Sequence, residues 1–158
     1  MGAAQCAAGV RTDFNGKWRK DKSASQMDCY SKQLDLLQLQ GVQKSLAQKL
    51  INGLQIQQND ESMRVQFTVD KVPFYKHTEE FRLGQEVSMS RRDKKSGMQH
   101  AVLRAVPEGV QVDIKLDEPF SGNILETYTC PKDGVLQVES ITQVNGKTEK
   151  CIQVYRRI

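Results

Sequence analysis

The chain contains no apolar run approaching the roughly 20 residues that a membrane-spanning helix needs. Apolar residues make up 38% of its 158 and aromatics only 6%. They suffice for one lean core, so a single domain is expected. The four cysteines, Cys6, Cys29, Cys130 and Cys151, are scattered and form no C-x-x-C pair. That pattern suggests neither the disulfide framework of a small secreted domain nor a zinc ligand set. Free thiols suit a reducing compartment, and a cytoplasmic location is expected. The two histidines, His77 and His100, have no ligand pattern beside them. Both read as surface or strand-end residues, and no metal or cofactor is expected.

Catalytic signatures are also missing. There is no G-x-S-x-G, no H-E-x-x-H and no phosphate-binding loop, so the chain does not read as an enzyme. The net charge of +4 is mild and spread out. Its densest basic stretch, SRRDKKSG from Ser90 to Gly97, reads as a solvated hairpin turn. No paired aromatics stand beside it to stack bases, which argues against a nucleic-acid partner. The opening MGAAQCAAGVRT lacks the apolar core of a secretory signal. Gly2 invites myristoylation, yet Cys6 stands where that motif wants Ser or Thr, and Cys6 itself offers a palmitoylation site. Residues 1–12 are expected to form a flexible tail of small residues, with the domain running over 13–158.

What is present is mostly strand. FNGKWRKDK, residues 14–22, reads as a first strand, and Ser23 to Ser25 supply a helix start. Met27, Tyr30 and Leu34 follow at helical spacing up to Gly41. Val42, Leu46, Ala47, Leu50, Ile51 and Leu54 then recur at threes and fours, with Gly53 as the end of a second helix. After it, Met63, Val65, Phe67 and Val69 alternate with polar residues, and Pro73 marks a break. Turn signals then punctuate the chain, the strongest being Asp133-Gly134 and Asn145-Gly146. The count is about ten strands, one before the helix pair and nine after it. A meander of that length closes as a barrel or folds as two sheets. Within it HTEEFRLGQEV, from His77 to Val87, carries charge on both faces of a strand. A strand lining a water- or ligand-filled cavity tolerates this, because inward polar groups bond to cavity water.

Three motifs in order resemble the intracellular lipid-binding proteins, the fatty-acid-binding and cellular retinoid-binding family of the calycin superfamily. Phe14, Gly16 and Trp18 resemble its F-x-G-x-W opening. Thr78, Glu79, Phe81, Arg82, Leu83, Gly84 and Glu86 resemble its T-E-x-x-F-K/R-L-G-x-E signature. Cys151, Gln153 and Tyr155 resemble its closing C-x-R-x-Y strand. The likeness implies an all-β, ten-stranded antiparallel up-and-down barrel, a β-clam, with a helix-turn-helix lid between the first and second strands. It implies a monomeric, non-enzymatic carrier of a hydrophobic small molecule, a fatty acid or another lipid.

The same likeness implies site residues. Cys151, Gln153 and Tyr155, alternating along the last strand, would face the cavity. The place of one family arginine falls on Tyr128 or Thr129, and Gln153 replaces the other. A Gln gives a neutral donor and acceptor in place of a guanidinium clamp, so a neutral head group is expected. Arg104 is the cation that would restore charge if it pointed inward. Alternation puts it with Val102, opposite the more apolar Leu103 and Ala105, which turns it outward. Trp18 is expected to pack in the closed end of the barrel. Lys32, Lys44 and Lys49 on the lid would give transient contact with anionic membranes. Two alternatives stand beside the carrier. One is a haem-binding barrel, which would need His77 or His100 as axial ligand. The other is a small enzyme on a lipocalin-like fold.

Overall fold

The computed structural model describes residues 12–49, 51–69 and 76–158. Gly2, Cys6, Leu50 and Pro73, with the Leu46 and Lys49 side chains, lie outside what it describes. Ten strands and two helices follow in order. They are β1 (Gly16–Lys20), α1 (Met27–Leu36), α2 (Gly41–Lys49), β2 (Ile51–Gln58), β3 (Ser62–Val69) and β4 (Lys76–Arg82). Then come β5 (Val87–Ser90), β6 (Met98–Val106), β7 (Gly109–Leu116), β8 (Gly122–Lys132), β9 (Val135–Val144) and β10 (Lys147–Arg157). All neighbours pair antiparallel in the order β4-β3-β2-β1-β10-β9-β8-β7-β6-β5. Because β1 pairs with β10, the meander wraps round on itself. β4 and β5 are the two edges of a nearly closed barrel. The segment after β4 crosses the gap to β6: Leu83 bridges to Leu103, and the Gly84 N–H donates to the Leu103 carbonyl at 2.8 Å.

Alternation fixes which side of each strand faces in. On β7, Val110, Val112, Ile114 and Leu116 are buried while Gln111, Asp113 and Lys115 point away from the core. The β9–β10 hairpin turns on Asn145 and Gly146, with φ of 53° and 76°. Both lie in the left-handed region that a two-residue turn of this hand demands. The first strand is shorter than its apolar and basic pattern suggests, and Gly53 corrects the helix boundary. α2 stops at Lys49 and Gly53 sits inside β2, opposite Thr68 of β3. A Cβ at Gly53 would meet Thr68 Oγ1 at 2.3 Å, so close strand approach, and not a helix end, explains this glycine.

The core fills the closed end. Phe14, Trp18, Leu54, Val65, Phe81, Leu103 and Val112 are buried there. Trp18 is 1% exposed, donates from Nε1 to the Phe14 carbonyl at 2.9 Å, and carries the Arg157 guanidinium over its ring at 4.3 Å from the centre. The helices cross the other end. Gln33 and Leu34 are the buried side of α1. Gln33 Nε2 donates to the carbonyls of Ser140 and Glu149 at 3.0 and 3.1 Å, and Ser140 Oγ donates back to Gln33 Oε1.

The expectation of free thiols is corrected for one pair. Cys29 of α1 and Cys151 of β10 form a disulfide across 122 residues, with Cα atoms 5.5 Å apart. The two stand so far apart in sequence that spacing gives no sign of the pairing; only the crossing of α1 over β10 brings them together. The thiol argument for a reducing compartment does not apply to this pair. Cys130 is free.

Candidate functional site

Between the helix pair and the strands lies a cavity of about 160 Å³. Leu34, Leu37, Leu39 and Ile124 supply apolar wall, and polar side chains gather at two places.

The first gathering is built on β4, β8 and the loop between β5 and β6. Phe81 is fully buried, and this sets the parity of β4: His77 and Glu79 also face in, while Thr78 and Glu80 face out. This explains the charge on both faces of that strand. The outward Glu80 pairs with Arg64 on β3, and the inward Glu79 takes Arg92. Arg92 reaches Glu79 through Nη2 at 2.6 Å and Nε at 3.1 Å, and Glu126 through Nη1 at 2.8 Å. Glu79 also accepts from Gln99 Nε2 and faces His77 Nε2, both at 3.0 Å. Lys94 Nζ lies 3.1 Å from His77 Nδ1, so the ring is held from both sides, with Nε2 toward Glu79. Burial pushes the Glu79 carboxyl up, but the Arg92 charge and the bonds from His77 and Arg92 outweigh it and hold the group at about 2. Arg92 stays charged: burial opposes this, and the two carboxylates prevail.

This gathering overturns the solvated-turn reading of Ser90 to Gly97. Arg91 is buried and forked onto Asp93, with N–H···O distances of 2.9 and 2.7 Å, and donates to the carbonyls of Asp117 and Phe120. Arg92 enters the cavity. The acids that receive it are at 79 and 126, beyond the reach of local composition. His77, expected at the surface, is 9% exposed and lines the cavity.

The second gathering lies where β1 meets β10. Lys20 and Tyr155 are register partners, and Gln153 is the next inward residue along β10. All three line the cavity with Tyr30 of α1. The Gln153 amide nitrogen donates to the Gln26 carbonyl at 2.9 Å, so its oxygen points elsewhere. That buried Oε1 has no hydrogen-bond partner. The Tyr155 hydroxyl stays protonated, since burial and the nearby Tyr30 and Glu126 raise it far above its ordinary value.

Of the five residues singled out in sequence, Gln153 and Tyr155 line the cavity. Cys151 is buried on the same face but spent in its bond to Cys29. Tyr128 is corrected: it packs below the cavity, edge-to-face with Phe14 at 6.3 Å between ring centres. Position 128 belongs to the core because the inward residues of β8 descend from Ile124 through Glu126 into the closed end. Arg104 points outward beside Asp113, at 3.4 Å, as alternation requires, and is no part of the site. Lys20, Arg92 and Glu126 were missed. The parity of β1, fixed by Trp18, was the signal available for Lys20.

On the outer wall, Ser88 Oγ bonds His100 Nδ1 at 2.7 Å and His100 Nε2 bonds Asp117 Oδ1 at 2.8 Å. The bond to His100, with the Met98 N–H, lowers the Asp117 carboxyl below its usual range. The order is that of a hydrolase relay, but these groups face away from the cavity and do not meet its contents.

No protein-family model matches the sequence, and no curated protein matches it either. Solved structures do match in fold. A structure titled REP1-NXSQ fatty acid transporter is 18% identical, with 92% of this chain and 96% of that chain covered and a TM-score of 0.69. The fluorescent protein UnaG is 20% identical over 92% and 97%, with a TM-score of 0.69. Human cRBP IV is 14% identical over 94% and 100%, with a TM-score of 0.68. This chain therefore shares the fold of these structures, a nearly closed ten-stranded antiparallel barrel with two helices between β1 and β2.

Proposed function

We propose that the protein is a monomeric, non-enzymatic carrier that holds a small apolar molecule in its barrel. The ligand's head is neutral and donates a hydrogen bond. The observation that carries this is the buried Oε1 of Gln153, a residue that lines the cavity, which has no hydrogen-bond partner. A buried acceptor without a donor costs about 1–3 kcal/mol, and a ligand hydroxyl removes that cost. A fatty acid meets a different wall. At the Arg92 end a carboxylate finds the guanidinium already bound by two carboxylates in a trio of one net negative charge, which leaves Lys20 as the cation without a carboxylate partner that an acid would have to use.

The test is a displacement titration with a neutral fluorescent probe, comparing medium-chain alcohols with the matching acids. The alcohol is expected to bind about tenfold tighter, the worth of one satisfied buried bond. An acid that binds tighter ends this reading.

A haem reading has less support: His77 is the histidine at the cavity, and Glu79 and Lys94 already hold its two nitrogens. A Soret band in protein purified from its own cells would reverse that judgement. Transient membrane contact through the lid rests on the exposed Lys32 and on Val42, 83% exposed on α2. Lys44 is engaged with Asp35 at 2.6 Å and adds less than was expected of it. No helix among the described residues is long and apolar enough to cross a membrane. The likeness to intracellular carriers proposes the cytoplasm, and the redox state of Cys29–Cys151 in cells tests that placement.

A further inference from the structure

We propose that Lys20 is a covalent site for carbonyl ligands: its amine condenses with the aldehyde group of a small apolar molecule and holds it in the barrel as an imine. The proposal rests on the carrier reading, since the ligand must first enter the cavity.

Lys20 points inward, two residues beyond Trp18 on β1, and is 8% exposed. Its nitrogen stands over the Tyr30 ring at 4.4 Å from the centre, and 5.7 Å from the centre of the Tyr155 ring. Among the described residues no carboxylate and no hydrogen-bond acceptor partners it. The other cations at this cavity are accounted for. Arg92 is bound by Glu79 and Glu126, and Lys94, which stands behind the lining residue His77, by that ring. Aromatic faces attract the ammonium but replace little of its lost hydration. Burial, with Lys22 nearby, lowers it from the ordinary lysine value to about 8. A useful share of the free amine is then present near neutral pH, which is how a desolvated lysine becomes a nucleophile.

The step needs nothing beyond the two reactants. The lone pair on Nζ attacks the carbonyl carbon, and the C=O π pair moves to oxygen. Proton transfer from nitrogen to oxygen gives a neutral carbinolamine. Loss of water breaks the C–O bond and forms C=N, with no change in oxidation level. When the imine is protonated its N–H becomes a donor, and the unpartnered Gln153 Oε1 is an acceptor on the same inward face. The apolar wall supplied by Leu34, Leu37 and Ile124 limits the water that would hydrolyse the product.

The experiment treats the full chain with 4-isopropylbenzaldehyde and sodium cyanoborohydride, then locates the reduced adduct by peptide mass spectrometry. Binding of 4-isopropylbenzyl alcohol to the wild type is measured alongside, by displacement of Nile red. The expected adduct lies on Lys20, at least about tenfold above any other lysine, as an activated buried amine requires. Excess alcohol should block it. Lys20→Arg, shown folded by circular dichroism, should lose it, and Lys17→Arg, on the outward face of the same strand, should keep it. Labelling spread evenly over surface lysines overturns the proposal. So does labelling that the alcohol leaves unchanged. Alcohol that displaces Nile red while Lys20 stays unlabelled overturns the covalent site and leaves the carrier reading standing. Failure of both the displacement and the labelling overturns both. If Lys20→Arg does not fold, the alcohol block in the wild type decides.

Discussion

The cavity has two polar ends, and they are built on opposite terms. Around Arg92 every group has its partner: two carboxylates on one guanidinium, and His77 and Gln99 on Glu79. Around Lys20 and Gln153 the partners are missing: an ammonium over aromatic rings and an amide oxygen facing nothing. A buried network that is complete holds the barrel together and has little left to offer a ligand. One that is incomplete marks the place where a ligand supplies what the protein leaves out. Charge in a cavity therefore says little about ligand choice until the internal pairs have been set aside.

The sharpest way to break this comparison is to remove the guanidinium. Arg92→Met leaves Glu79 buried without its counter-ion and should cost about 3–5 kcal/mol in chemical denaturation. A loss under about 1 kcal/mol would mean that the trio is solvated and no more structural than a surface pair.

Acid should probe the same end with a slightly smaller effect. The folded Glu79 carboxyl lies at about 2, lowered from 4.5. The unfolded chain binds this proton first, so the stabilisation is full above about pH 4.5 and is lost as pH falls toward 2. The loss is roughly 3 kcal/mol at most. Denaturation curves between pH 5 and pH 2 should be visibly flatter in Glu79→Gln, and equal slopes in the two proteins would contradict the assignment.

At the Lys20 end the sign of the charge term reverses. The folded ammonium lies at about 8, below its ordinary value of 10.5. The unfolded chain holds the proton more tightly, so stability rises as pH climbs from about 8 to 10.5. Below pH 8 the buried charge is a standing cost of roughly 1–3 kcal/mol. Lys20→Met should therefore be more stable than wild type at pH 7, with the gap closing by pH 10. A Lys20→Met protein that is less stable at pH 7 would show that the ammonium has a partner.

The smallest effect on the fold should come from Gln153→Leu. With no bond to the orphaned oxygen to lose, stability should change by less than about 1 kcal/mol, while alcohol affinity falls about tenfold. Calorimetry and the probe titration measure the two separately. A large loss of stability with unchanged affinity would place Gln153 among the complete network instead.

Much of this fold is legible in residue patterns because strand alternation and tight turns are local. Asn145-Gly146 announces its hairpin, and Phe81 betrays the inward side of β4. The inward face of the last strand, with Gln153 and Tyr155 on it, is legible for the same reason. What escapes is every pairing between distant residues. Arg92 looks like one more charge in a basic turn until β4 and β8 bring Glu79 and Glu126 to it. Cys29 and Cys151 look like unrelated thiols until α1 crosses β10. Gly53 looks like a helix end because a glycine chosen for close strand contact has the same letter as one chosen for a cap. Lys20 hides for a subtler reason: GKWRK reads as a solvated strand with one tryptophan, and only the parity set by Trp18 turns its final lysine inward.

The bond between Cys29 and Cys151 fixes where the lid can open. It ties α1 to the strand that carries Gln153, two residues from the head-group end of the cavity. With that corner tied, the free margin of the lid is α2 and the turn before it, where Gln38 and Gly41 both adopt φ of 60°. On the carrier reading, ligand exchange is expected to follow the kinetics of a hinged flap. Amide exchange along α2 should then track release of a bound ligand, while amides beside Cys29 should exchange only on unfolding of the barrel wall.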